Sequence, residues 1–326
     1  MKKISWGIIG CGDVTEIKSG PAFNKVKNSS LVAVMRRDTE KARDYARRHN
    51  VPKWYANADN LINDPDVNAI YIATPPSSHE VYTIAALQAG KPVYVEKPMT
   101  VNFASAGNMA KFAREKNVKL AVAHYRREMP IFKKIKQLLL EKKVGDIRFA
   151  KLELYKKSVS KEEMAIPMRA WRVDTDIAGG GLFHDLSPHQ LDLMYYFFGE
   201  IDKASGFSAN QERLYAADDI VSGNIVFKSG VLFNGLWCFN VPEAEEKDQC
   251  EIVGSAGKIT FSVFEMGKIT ITENGKTEVL GFDPLQHVQQ PMIEKVVEYF
   301  LDESPNPCSG DEGAKVMWLI DRFTQK

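Results

Sequence analysis

At 326 residues, with 44% hydrophobic and 26% charged residues, the chain is long enough for two domains of ordinary size and too apolar for a disordered one. Its 43 Lys and Arg stand against 42 Asp and Glu, which removes the electrostatic footprint of a nucleic-acid binder or a polybasic membrane anchor. No run of about 20 apolar residues is present to span a membrane, and a neutral or locally steered small molecule is the expected partner.

The first segment, MKKISWGIIGCG, has a basic start but only a short apolar stretch broken by glycines, without the apolar core and cleavage site of a signal peptide, so it reads as a strand. Further short apolar runs follow: LVAVM, AIYIAT, PVYVE and KLAVAHY, separated by amphipathic stretches at Thr39 to His49, Glu80 to Ala89 and Phe103 to Lys116. Apolar runs joined by helices predict buried parallel strands in a doubly wound α/β domain. The boundary is expected near residue 124, giving a doubly wound α/β domain over 1–124 and an α+β domain over 125–326.

Beyond a helix predicted over Ile131 to Lys142 the pattern changes. Ile147 to Tyr155 alternates, and DIVSGNIVF, GVLFNGLWCF, KITFSVF and KITITENG are short strands joined by turns such as Lys228-Ser229-Gly230 and Glu273-Asn274-Gly275. Close succession of strands predicts a large, mainly antiparallel open sheet. Helices are expected at Pro188 to Phe198, Val288 to Leu301 and Asp311 to Phe323. The four cysteines, Cys11, Cys238, Cys250 and Cys308, have no metal-ligand spacing; no metal is expected, and a reducing cytoplasm fits them best.

The segment Gly7-Ile8-Ile9-Gly10-Cys11-Gly12-Asp13-Val14-Thr15 ends the first strand and opens a helix. Glycines at such a place let the backbone turn tightly and approach a pyrophosphate, so Gly10, Gly12, Asp13 and Val14 are candidate cofactor contacts, and Thr15 is expected to line the pyrophosphate with Gly10 and Gly12. The second strand ends in Met35, Arg36, Arg37 and Asp38. An acid is expected there for a ribose 2′-hydroxyl; Arg36 and Arg37 suit a 2′-phosphate, which favours NADP(H) over NAD(H).

Thr74-Pro75 with His79, and Glu96-Lys97-Pro98, follow the third and fourth apolar runs and belong at the ligand-binding edge of such a sheet. Downstream, Gly179-Gly180-Gly181 leads to Asp185 and His189, four residues apart. If the segment is helical they share a face; Ser187-Pro188 can instead mark the cap and first turn.

Together with His124-Tyr125-Arg126-Arg127 and Trp171-Arg172, these motifs resemble the glucose-fructose oxidoreductase / inositol dehydrogenase / rhizopine catabolism (Gfo/Idh/MocA) family over nearly the whole chain. The resemblance implies an N-terminal Rossmann domain, a C-terminal α+β domain whose open sheet serves oligomerisation as a homodimer or homotetramer, and redox chemistry on a sugar, cyclitol or keto-sugar. It also implies that Lys97, Asp185 and His189 converge beneath the nicotinamide, and that the Lys97–Pro98 bond is cis.

His189 is the preferred general acid/base because an imidazole titrates near working pH, whereas Lys97 suits polarising the reacting oxygen. Asp185 then positions a substrate hydroxyl, and Glu96 anchors the nicotinamide side. Thr74, Pro75 and His79 are read as cofactor contacts; His124, Arg126, Trp171 and Arg172 as substrate contacts, with a structural role as the alternative for His79 and His124. Asp192 and the run Met194 to Phe198 read as packing. Two other functions share the pattern: a redox-assisted glycoside hydrolase and a non-catalytic NADP-sensing regulator.

Overall fold

Strands that are apolar on both faces need cover on both sides, and the helices between them supply it. The computed structural model describes residues 2–166 and 170–325. In the first of its two units, Met1–Arg126 with Leu285–Met317, strands β1 (Ile4–Ile9), β2 (Ser29–Met35), β3 (Lys53–Tyr55), β4 (Ala69–Ile72), β5 (Val93–Val95) and β6 (Leu120–Val122) form one sheet. All neighbours are parallel, in the order β3-β2-β1-β4-β5-β6. The order reverses between β1 and β4, so the carboxyl ends of those strands form the switch point where such sheets receive dinucleotides.

The crossovers carry α1 (Asp13–Ile17), α2 (Thr39–Arg48), α3 (Ala58–Ile62), α4 (His79–Gln88) and α5 (Phe103–Lys116). Helix α5 shows why its ends are legible: the Asn102 side chain accepts from Ser105 N at the start, and Asn117 closes it in the left-handed region at φ 52°. β3 and α3, at 3 and 5 residues, are too short to display a period and are additions to the predicted set.

A single cut after residue 124 assigns everything downstream to the second domain, but the chain returns to the first unit over Leu285–Met317. Phe300 places its ring 5.5 Å from that of buried Trp6, and Val122 N donates to Cys308 O at 2.9 Å. Trp6 also lies 4.8 Å from Phe23, and its indole N–H is satisfied by Ser29 Oγ at 3.0 Å.

The second unit, Arg127–Pro284 with Trp318–Lys326, starts with α6 (Pro130–Leu140) and is built on an eight-stranded sheet. Its strands are β7 (Ile147–Tyr155), β8 (Ile201–Ala209), β9 (Ile220–Phe227), β10 (Leu232–Cys238), β11 (Lys247–Gly254), β12 (Gly257–Phe261), β13 (Lys268–Glu273) and β14 (Lys276–Gly281). They lie in the order β14-β13-β12-β11-β7-β10-β9-β8; β7 and β10 run parallel, and every other pair is antiparallel.

Between β7 and β8 come α7 (Lys161–Met164), α8 (Thr175–Ala178) and α9 (Gly181–Phe198). The predicted start of α9 at Pro188 is wrong by two turns: the helix begins at Gly181 and Pro188 lies inside it. Proline removes only one donor from the ladder, and the buried residues Phe183, Leu191, Leu193 and Phe197 hold the helix against its sheet. Phe183 meets Trp237 of β10 edge-on at 5.1 Å, and Gln190 Oε1 accepts from the Trp237 indole at 2.7 Å. The chain ends in α10 (Gln290–Phe300) and α11 (Gly310–Thr324). None of the described helices is long and apolar enough to cross a membrane.

Candidate active site

In the first unit, the turn after β1 is built by exclusion of side chains. Gly10 sits at φ +94°, and a Cβ there would lie 2.7 Å from Thr74 Cγ2 and 2.8 Å from Thr74 N, so only glycine lets the two loops at the switch point touch. Gly12 differs: a Cβ would meet nothing nearer than Gly10 O at 3.9 Å. That open ground is the cradle a side chain would fill and a pyrophosphate needs, so the turn fits the dinucleotide the fold implies. Asp13 is exposed and Val14 half-buried beside it. Thr15 is fully buried and turns inward, its hydroxyl donating to Gly12 O at 2.8 Å; it braces the turn from within. Burial pushes the Cys11 thiol up to about 11, which makes it an inert packing group.

Arg36 and Arg37 follow β2 at the same edge. Arg36 is half-buried with Nη1 donating to Cys11 O at 3.3 Å, and Arg37 is exposed. Asp38 caps α2, accepting from Lys41 N at 3.2 Å.

Thr74 and Pro75 follow β4, and Glu96, Lys97 and Pro98 follow β5, with the Lys97–Pro98 bond cis. His79 joins these two loops from the head of α4. One ring nitrogen lies 2.6 Å from Thr74 O; the other lies 3.1 Å from Pro98 O and 3.3 Å from Met99 O. The ring is 1% exposed, and burial lowers its pKa to about 4, assisted by the positive charge of Lys97. Its nitrogens are thus directed at main-chain carbonyls. Glu96 is equally enclosed, with one carboxylate oxygen on Tyr71 and Gln289 and the other on Lys97 N. His124, after β6, and Arg126 are buried, the latter with its guanidinium 5.5 Å from the Tyr125 ring.

In the second unit the continuous α9 resolves the alternatives left by Ser187-Pro188: Asp185 and His189 lie one turn apart on one face. The glycines ahead of them make room. A Cβ on Gly180 would lie 2.3 Å from His184 Nδ1, so the buried His184 ring occupies the place of a side chain. Arg172 reaches Asp185 with Nε 3.4 Å from Oδ2, and its guanidinium lies 5.0 Å from the Trp171 ring. Trp171, Arg172, Asp185 and His189 are therefore brought into one group. Asp192 is spent on Arg127 in a buried ion pair, Nη2 to Oδ1 at 2.7 Å and Nε to both oxygens at 3.0 Å, which agrees with a packing role.

Sequence motifs do not point to Phe264, whose ring stands edge-on to His189 at 5.8 Å. It rides on the turn between β12 and β13, which wraps one carboxylate: Asp248 accepts from Ser262 Oγ, from Phe264 N at 2.6 Å and from Val263 N at 3.2 Å. Among the described residues no group of three His, Cys, Asp or Glu is placed to hold a metal.

Residues 4–124 match the family described as oxidoreductases with an NAD-binding Rossmann fold, and residues 132–260 match the GFO/IDH/MocA C-terminal domain. The chain belongs to the Gfo/Idh/MocA family. It is an NAD(P)-binding oxidoreductase of CH–OH groups. It is 47% identical to Oxidoreductase P35 of Formosa agariphila over 98% of both chains. It is also 32% identical to trans-1,2-dihydrobenzene-1,2-diol dehydrogenase of Mus musculus over 70% of this chain and 66% of that one. In fold it is similar to levoglucosan dehydrogenase in complex with NADH, with a TM-score of 0.89 at 19% identity over 98% of this chain and 96% of that one.

Proposed function

We propose that this oxidoreductase exchanges hydride between NADP(H) and a carbohydrate-like substrate, a sugar, cyclitol or keto-sugar, in the cytoplasm. The observation that carries the substrate class is the group gathered around two residues of α9: an acid, Asp185, held by Arg172 beside Trp171, with His189 one turn along and the Phe264 ring edge-on to it. A few polar groups beside aromatic rings suit a small polyol, which presents hydroxyls and C–H faces together. The names of the relatives are consistent with it, since levoglucosan and a cyclic diol both carry secondary CH–OH groups.

Gly10, Gly12, Asp13, Val14, Thr74 and Pro75 would hold the dinucleotide, with Arg36 and Arg37 at a 2′-phosphate. When bound, the nicotinamide supplies the hydride acceptor or donor. His189 takes or returns the proton of the reacting hydroxyl, Lys97 polarises that oxygen, and Asp185 fixes a neighbouring hydroxyl. His124 and Arg126 complete the substrate contacts in this reading. The open sheet of the second unit would join copies into a homodimer or homotetramer.

The test is a panel of sugars, cyclitols and keto-sugars followed by nicotinamide absorbance with both cofactors. Lys97→Ala and His189→Ala should each lower turnover by about a hundredfold or more, since positioned proton transfer contributes about 10²–10⁴, while cofactor binding stays nearly intact. Full activity of both variants would remove these roles. Product formed without net consumption of cofactor would instead favour the redox-assisted hydrolase.

A further inference from the structure

Gln289 lies 193 residues from Glu96 in sequence and outside every recognised motif, yet it is fully buried with Nε2 2.6 Å from Glu96 Oε1. The same oxygen accepts from Tyr71 OH at 2.5 Å, and the other carboxylate oxygen accepts from Lys97 N at 3.1 Å. A carboxylate rotates freely about its last bond unless both oxygens are engaged. Here they are, and one of the bonds goes to the main chain of the lysine that follows.

The amide of Gln289 is itself oriented. Tyr94 OH donates to its Oε1 at 3.3 Å, which turns Nε2 toward Glu96. Burial, with Glu96 nearby, raises the pKa values of both Tyr71 and Tyr94 well above the ordinary value, so both phenols stay donors. The Gln289 main chain is fixed from the other side. Its N–H donates to Lys18 O at 3.2 Å, and His287 Nδ1 donates to Ile17 O at 2.6 Å. Residues 287–289 thus connect the end of α1, the helix that opens at the glycine turn, to the carboxylate under Lys97.

We infer that Gln289 is a positioning residue for Lys97, acting through Glu96: it fixes the carboxylate that fixes the Lys97 amide. The inference rests on the reading of Lys97 as the group that touches the reacting oxygen. It assigns Glu96 a different task from nicotinamide contact, because its carboxylate oxygens are given to Tyr71, Gln289 and the Lys97 amide.

The experiment is a double-mutant cycle in the full chain, with kcat, substrate KM, NADPH dissociation constant by fluorescence and Tm measured for each protein. Gln289→Met keeps the volume and removes the donor. It should lower kcat about ten- to hundredfold, as misplacement of a reacting group does, with the NADPH dissociation constant within about twofold. In a Glu96→Ala background the same substitution should have no further effect on kcat. Tyr71→Phe, which removes the other donor to that oxygen with little change of shape, should lower kcat in the same direction and be similarly silent without Glu96. It carries the test if Gln289→Met does not fold. Equal loss with and without Glu96, or unchanged kcat in folded Gln289→Met and Tyr71→Phe proteins, overturns the inference. A fully active Lys97→Ala parent overturns the Lys97 reading and this inference with it, whereas an inactive Lys97→Ala beside a fully active Gln289→Met overturns the inference alone.

Discussion

Arg36 and Asp38 stand two residues apart at the end of β2 and are put to opposite uses. Asp38 is the residue that would reverse the proposed cofactor preference, because in a slightly different register its carboxylate would reach the ribose. In the structure it caps α2 and pairs with Lys41 Nζ at 3.1 Å, and the Lys41 amide and ammonium hold its pKa below the usual value. Arg36, anchored on Cys11 O, and exposed Arg37 place positive charge at this edge. Charge-assisted hydrogen bonds to a phosphate are worth about 1.5–3 kcal/mol each, or roughly ten- to hundredfold in selectivity per contact. The expected outcome is a native kcat/KM higher with NADPH than with NADH, and a loss of that preference of about this size in an Arg36→Ala, Arg37→Ala double variant. A native preference for NADH would assign the arginines to the solvated face of α2 instead.

Elements are legible where local chemistry and burial agree. Phe103–Lys116 and Ile147–Tyr155 have the predicted ends because one is capped by asparagine at both ends and the other alternates under a covered face. The start of α9 is hidden because Ser187-Pro188 has the chemistry of a helix opening, and only the packing of residues ahead of Pro188 decides otherwise; Phe183 against Trp237 is such a contact. β8, β11 and β14 escape the sequence reading since IDKASGFSA, KDQCEIVG and KTEVLG carry too few apolar residues, and pairing along the sheet holds them. In the candidate site, the glycine turns and the spacing of Asp185 and His189 can be read because they are local. Phe264 cannot, since its place depends on Asp248, 16 residues earlier, gathering the donors of its turn. Phe264→Ala should lower kcat/KM for ring-shaped substrates by about tenfold or more, the scale of losing apolar contact in a pocket. Asp248→Ala should reproduce that loss through the released turn and also lower Tm. If substrate profiles of both variants match the native protein, Phe264 is packing alone.

At the scale of assembly, the eight-stranded sheet presents a face whose rows differ in kind. Register places Val226, Leu232, Phe149 and Val253 side by side across β9, β10, β7 and β11, with Leu232 52% and Phe149 43% exposed. Two residues along, the row is Asn224, Asn234, Lys151 and Glu251, and the one beyond it Ser222, Leu236, Glu153 and Gln249. Lys151 and Lys247 both pair with Glu153, at 3.1 and 2.6 Å, and Lys258 pairs with Glu251 at 2.8 Å. An apolar row bounded by charges of both signs suits a two-fold contact, in which each residue meets the same surface on a second copy and acids and bases can exchange partners. The sequence pattern puts excess apolar residues on Val231 to Phe239 and Ile259 to Val263; the structure keeps the first as a source of Leu232 and Leu236 but turns Ile259, Phe261 and Val263 to the covered side. Sedimentation at micromolar concentration should therefore show a dimer or tetramer. A Phe149→Glu, Leu232→Glu variant, which puts like charges where the two copies would meet, should shift it to monomer while nicotinamide-cofactor binding persists. A native protein that sediments only as monomer leaves this face to solvent and removes the assembly from the proposed function.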